Sequence, residues 1–215
     1  GQPTCGSVFV FSRPMSTINE TMVTPDQIDQ LIRSRRSTFR DQFEKGWPID
    51  DATIWRLLEN ANWAPNHKRT EPWRFTVFAG EGLRRFAAFQ AMRYKETAGE
   101  KFRQDKYDKL LENPEKASHI IAIILRRSTT VDIPEMEELA AVACAVENIY
   151  LSITAYGIGG YWTTGGPTFD PAARLFLGLN DGDRLMGFFY LGHIRVPSVA
   201  GSRRPIQEKT TWVKE

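Results

Sequence analysis

Residues 118–125 read SHIIAIIL, and the fold class turns on this octet. A strand with one wet face alternates apolar and polar residues, whereas Ile120 to Leu125 has no polar residue at all, so both of its faces must be covered. The run predicts a strand inside a sheet with structure above and below it. Upstream, Arg74 to Ala79, with Phe75, Val77 and Phe78, predicts a second strand of the same covered sheet. Between the two, Leu83 to Asn113 is charged, helical in character and interrupted near Gly99, with weak amphipathicity in its second half. It reads as a mobile helical excursion.

Downstream, a long helix is predicted from about Glu135 to Tyr156. Leu139, Val142, Val146, Ile149, Ile153 and Tyr156 step by three and four residues, and Ala140, Ala141, Ala143 and Ala145 permit close approach by another helix. Gly157 is a natural residue to end it. The pattern alone fits a central core helix and a subunit interface equally well. Gly159 to Thr164 and Arg184 to Leu191 predict two more strands, and Asp170 with Pro171 caps a short helix reaching Leu177. Near the front, Thr24, Pro25 and Gln27 form a capping box before Ile28, Leu31 and Ile32. Asp50 caps a helix carrying Ile54, Leu57, Leu58 and Ala61, which Pro65 prevents from continuing. The tail from Pro197 to Glu215 has no periodicity and needs another surface to lie on. Residues 1–14 read as a flexible N-terminal extension, with Met15 a plausible natural start and residues 15–215 a single domain.

Composition narrows the function. A net charge of +2, with Lys and Arg interleaved among Asp and Glu, argues against nucleic acid and leaves room for a small anionic ligand. Hydrophobic content of 41% with no apolar run near the roughly 20 residues of a membrane span argues against a bilayer. Cys5 and Cys144 make no disulfide framework, so a reducing cytoplasm is the default expectation. His67, His119 and His193 lie far apart without partners at metal spacing, and no G-x-S-x-G elbow marks a hydrolase.

Three stretches carry chemistry. RSRRSTF, with Arg40 close behind, gathers Arg33, Arg35, Arg36 and Ser37. By itself it reads first as a solvated basic turn and second as a phosphate cradle built from forked guanidinium groups. The loop ANWAPNHKRTEPWRF (residues 61–75) sets His67 and Lys68 between Trp63 and Trp73, suited either to gripping a flat anionic ligand or to core and capping duty. The glycine-rich AYGIGGYWTTGG (residues 155–166) lacks the G-x-G-x-x-G fingerprint and the Walker lysine, and reads first as a helix cap followed by tight turns.

Their order along the chain is more specific than any one of them. An Arg-Arg-Ser cluster after the first helix, Ala-Pro-Asn-His-Lys and then Glu-Pro-Trp before a strand, Gly-Ile-Gly-Gly-Tyr-Trp-Thr-Thr, and a late Gly-Phe-Phe-Tyr-Leu-Gly-His strand together resemble the nitroreductase family of FMN-dependent flavoproteins, and within it the compact YdjA-like branch. The resemblance spans roughly residues 26–205. It implies an α+β fold with a central, mainly antiparallel sheet flanked by helices. It also implies an intertwined homodimer holding FMN at its interface, the long helix near its partner and the tail embracing the other subunit.

Residue by residue, the resemblance places Arg35, Arg36 and Ser37 on the FMN phosphate and ribityl chain, and Trp63 and His67 against a flavin bound mainly by the other subunit. Trp162, Thr163 and Thr164 line the flavin, and Arg204 meets the phosphate. Ser152, Ile153, Thr154, Ala155, Tyr156 and Gly157 match a stretch linked to nicotinamide nucleotide binding. Thr163 and Trp63 stand where arginines are common, which lowers the charge near the cofactor. The implied activity is ping-pong: hydride from NAD(P)H reaches the flavin, and a nitro compound, quinone or similar electron-poor acceptor then takes the electrons, with no side-chain acid and no metal required. The alternatives are an FMN store or sensor without efficient turnover, a related flavoenzyme acting on oxygen or halogenated substrates, and a flavin-free interaction domain.

Overall fold

A computed structural model describes residues 23–214, so the N-terminal extension, Cys5 and Met15 lie outside the described residues. Four strands form one sheet: β1 (Trp73–Ala79), β2 (His119–Leu125), β3 (Ile158–Thr163) and β4 (Arg184–His193), in the order β1-β2-β4-β3 with every pair antiparallel. Around it stand α1 (Pro25–Ser34), α2 (Asp51–Asn62), α3 (Glu81–Ala98), α4 (Gln104–Glu112), α5 (Glu135–Tyr156) and α6 (Pro171–Phe176).

The octet behaves as its composition demands. Successive side chains of a strand point to opposite faces. Ile121, Ile123 and Leu125 pack with Leu57 of α2 and with Val146, Ile149 and Ile153 of α5, while Ile120, Ala122 and Ile124 pack with Phe86 of α3 and with Ala173 of α6. All seven residues of β2 are buried. Among the described residues α5 is the one helix long and apolar enough to cross a bilayer, yet Val142, Ala145, Val146, Ile149 and Ile153 are buried against the sheet and α2. Gly157 ends it in the left-handed conformation, and its N–H returns to the Ile153 and Thr154 carbonyls.

One sequence expectation changes. The stretch expected to be an excursion is α3 and α4, separated by a short 3-10 turn at Gly99–Lys101. Leu83, Phe86, Ala87 and Ala91 recur at helical spacing and are buried, so α3 is a packed layer of the core. The front helix α1 has its full capping box, but none of its ten residues is buried. Leu31 is half-buried, but Ile28 and Ile32 remain 39% and 50% exposed, so the described residues leave much of the apolar stripe uncovered.

The start of the tail is tied down. Ser198 Oγ donates to the Ser37 carbonyl at 2.8 Å, Gln42 Nε2 to the Val196 carbonyl at 3.1 Å, and Arg36 Nε to the Val199 carbonyl at 3.3 Å. Further on, Ile206, Trp212 and Val213 are exposed.

Candidate active site

The front cluster opens onto a cavity of about 780 Å³ that brings together Arg33, Arg35, Arg36 and Arg203, with Tyr150 and Glu147 from α5. Arg36 is partly structural. Its Nη1 donates to the carbonyls of Arg33 at 2.8 Å and Arg35 at 2.7 Å, and with Nε on Val199 it knots the turn to the tail. A Cβ on Gly201 would stand 2.8 Å from the Arg36 guanidinium carbon, so a larger residue there would push the guanidinium aside. Arg35 is held differently: its guanidinium carbon lies 5.1 Å from the centre of the Tyr150 ring. Arg35 makes no side-chain hydrogen bond to the described residues, so its donor fork stays available to an anion.

Tyr150 joins the pieces. Its hydroxyl accepts the Trp162 backbone N–H at 2.8 Å and lies 3.4 Å from Ser37 Oγ, while its ring meets Phe189 edge-on at 4.7 Å. One side chain on α5 therefore touches Arg35, Ser37 and the end of β3. The Trp162 indole donates to the Met186 carbonyl at 2.9 Å. That carbonyl is presented by a bulge in which Met186 and Gly187 together face Ile123. Gly187 has φ +111°, and a Cβ on it would stand 2.4 Å from the Thr163 carbonyl oxygen, so glycine is needed for this close approach.

The remaining sequence-predicted residues fall elsewhere in one protomer. Trp63 is 80% exposed and donates to Glu59 at 2.9 Å. His67 Nδ1 is hydrogen-bonded to Glu137 in the first turn of α5. Tyr150 lies thirteen residues further along that helix, so about 20 Å of helix, at about 1.5 Å per residue, separates the His67 loop from the arginine cluster. Trp162 and Thr163, neighbours on β3, face opposite sides of the sheet: Trp162 packs with the α5 core, and Thr163 lines a cavity beneath α3 and α4. Thr164 is exposed.

In the stretch from Ser152 to Gly157, Ser152 donates to the Asn148 carbonyl and accepts from Asn60, Thr154 donates to the Tyr150 carbonyl, and Ile153 is buried. Tyr156 lies under the Arg56 guanidinium at 5.4 Å. Arg203 rather than Arg204 lines the cavity within the protomer. Arg40, grouped with the front cluster by sequence, turns the other way and donates to the Tyr161 hydroxyl at 3.1 Å on the α3 face. Sequence reasoning missed Tyr150, Glu147 and Arg203. For Tyr150 the available signal was its place on α5 one residue from the apolar stripe.

The family model described as "Nitroreductase family" matches residues 32–193. YdjA of Escherichia coli (strain K12), provisionally assigned as an NAD(P)H nitroreductase, is 34% identical over 164 residues, covering 76% of this chain and 86% of its own. A nitroreductase-like family protein from Bacillus cereus superposes with a TM-score of 0.74 at 25% identity over 90% of this chain and 100% of that one. A provisionally assigned nitroreductase from Desulfovibrio desulfuricans, solved in complex with FMN, shares the fold with a TM-score of 0.66 at 24% identity over 89% and 99% of the two chains. With the ordered motifs, the antiparallel sheet and this match over most of its length in agreement, the chain belongs to the nitroreductase family.

Proposed function

We propose that the chain is an FMN-dependent oxidoreductase that works as a homodimer. The observation that carries this reading is the convergence of four arginines on one cavity, with Tyr150 linking them to the end of β3. The donor set suits a phosphate ester: Arg35 has a free fork, Arg36 and Arg203 flank it, and Glu147 is the single carboxylate in the lining. When bound, FMN supplies the electron relay, accepting hydride from NAD(P)H and reducing a nitro compound, quinone or similar electron-poor acceptor.

The chain's own residues then have positional tasks. Arg35, Arg36 and Ser37 hold the phosphate arm. Tyr150 keeps Ser37 and Trp162 in register, and the bulge at Gly187 fixes the Trp162 indole. The exposed end of α5 around Tyr156 is left for the nicotinamide nucleotide. A second copy explains two otherwise odd features. The family resemblance puts Trp63 and His67 on the same cofactor as Arg35, although about 20 Å of helix separates the His67 loop from Arg35 in one protomer, and the exposed residues of α1 and the exposed apolar residues of the tail need a surface to cover them.

The test is a visible spectrum of the purified protein, followed by release and chromatography of its pigment. A yellow protein that releases FMN and oxidises NAD(P)H in the presence of a nitroaromatic or quinone is the expected result. Arg35→Ala should weaken FMN binding at least tenfold, the scale of one lost charge-assisted hydrogen bond. Unchanged flavin content in that variant, or a colourless protein indifferent to added FMN, would overturn the assignment.

A further inference from the structure

Arg40 sits on the sheet face away from the arginine cavity. It opens a short 3-10 turn, Arg40–Gln42, and its Nη1 donates to Tyr161. Its Nε is shielded from solvent and has no hydrogen-bond partner among the described residues. Shielded polar atoms in native proteins nearly always have a partner, and a cationic donor without one is costly. Arg40 lines a cavity of about 180 Å³ enclosed by β3 and β4 on one side and α3 and α4 on the other.

The lining has a definite chemical sense. Phe86, Phe188, Leu110 and Pro167 provide apolar walls, and no carboxylate lines the cavity. Tyr190 also lines it, and its hydroxyl makes no hydrogen bond to the described residues. Burial pushes the Tyr190 phenol up, and that of Tyr161 too despite Arg40 beside it, so both remain neutral and able to donate. Asp41, the nearest carboxylate to Arg40 in sequence, is bound to Lys116 at 2.6 Å. A cavity of roughly 150 Å³ with apolar walls admits benzene, so the volume here matches one six-membered ring with a small substituent.

A second cavity of about 280 Å³ shares Gln90, Leu110, Gly166 and Pro167 with the first and reaches Arg93, Tyr94 and Lys106. Arg93 is paired with Asp170 at 2.8 Å and also bonds Glu96, whereas Lys106 lies 4.5 Å from the centre of the Tyr94 ring with no carboxylate partner among the described residues. Arg93 and Lys106 are balanced in number by Asp170 and Glu96, so this second cavity is close to neutral, and Lys106 is its one cation without a bonded carboxylate among the described residues.

We propose that this cavity is a second small-molecule site, selective for a monocyclic aromatic carboxylate. The carboxylate accepts from Arg40 Nε and the Tyr190 hydroxyl, and the ring rests against Phe86, Phe188 and Leu110. The site shares no lining residue with the arginine cavity, and of the residues that the resemblance places on the flavin only Thr163 lines it, so the two assignments are tested by different variants.

Isothermal titration of the full-length protein with benzoate tests it. Benzoate is expected to bind with one site per chain. Arg40→Met should weaken it at least tenfold, Leu110→Trp, which fills the cavity from the half-exposed α4, should abolish it, and Arg35→Ala should leave it unchanged. Benzyl alcohol, the neutral analogue, should bind at least tenfold more weakly. The proposal is overturned by any of three results: no heat at millimolar benzoate, affinity that survives both cavity variants, or equal binding of benzyl alcohol. Leu110→Trp keeps the test decisive should Arg40→Met fail to fold.

Discussion

Strand β2 and helix α1 were equally plain in the sequence, each with apolar residues at the spacing of its class, yet the chain treats them in opposite ways. All seven residues of β2 are buried and none of the ten in α1 is. The strand is paired on both edges, by β1 and β4, and covered on both faces by helices. The helix lies with Ile28 and Ile32 uncovered. Periodicity identifies an element and the face it will bury, but says nothing about which surface will cover that face.

The contrast can be tested from either side. The largest effect belongs to the finished region. Phe189 has no exposed surface, and Phe189→Ala should cost about 3–5 kcal/mol in urea denaturation, the range for a large aromatic removed from a packed core. A cost under about 1 kcal/mol would mean that this face of the sheet is far looser than its packing implies. On the unfinished side, the variant Ile28→Asp alters an exposed residue outside the arginine cavity, which Ile32 lines, and would leave a lone protomer's core untouched. Under the dimer proposal it should yield a monomer in sedimentation velocity that loses its flavin. A variant that stays dimeric and yellow would show that α1 faces water in the working protein.

Two smaller effects refine the picture. Tyr150→Phe leaves the ring over Arg35 but withdraws the oxygen that accepts the Trp162 N–H, and should weaken FMN binding by about 1 kcal/mol in a fluorescence titration. Affinity equal to that of the parent would remove Tyr150 from its positioning role. The last effect concerns His119, the first residue of β2. Burial holds its imidazole below the ordinary value of 6.5 despite Asp51 at 3.4 Å. The unfolded chain therefore takes up the proton first as pH falls. Stability fully present above 6.5 should decline through the weakly acidic range, and His119→Gln should flatten that slope in thermal melts measured against pH.

Much of the fold was legible because its signals are local. The capping box at Thr24, the cap at Asp50, the two-faced strand at residues 119–125 and the glycine ending α5 are each fixed by neighbours a few residues away. Strand order was not legible, because β2 pairs with β4 across more than fifty intervening residues and no local feature specifies that choice. The front cluster shows the same limit. Arg35, Arg36 and Arg40 look alike in sequence, but the 3-10 turn at Arg40–Gln42 sends the last of them to the opposite face of the sheet. Tyr150 meets Ser37 only because chain 113 residues away folds back onto it. Arg203 faces the cavity where Arg204 was expected, since a tail without periodicity gives no means of choosing between adjacent side chains.

Lys68, Arg69 and Glu71 all have positive φ, at 52°, 53° and 43°, within four residues of one another. Side chains other than glycine pay about 1–2 kcal/mol apiece in that region of backbone space. Glycine at these positions would thus be the cheapest route to a hardier protein, but each such replacement also slackens the segment that carries His67. Thermal robustness and the fixed shape of this loop compete directly here, so a screen for heat tolerance alone would select against the stiffness that holds it.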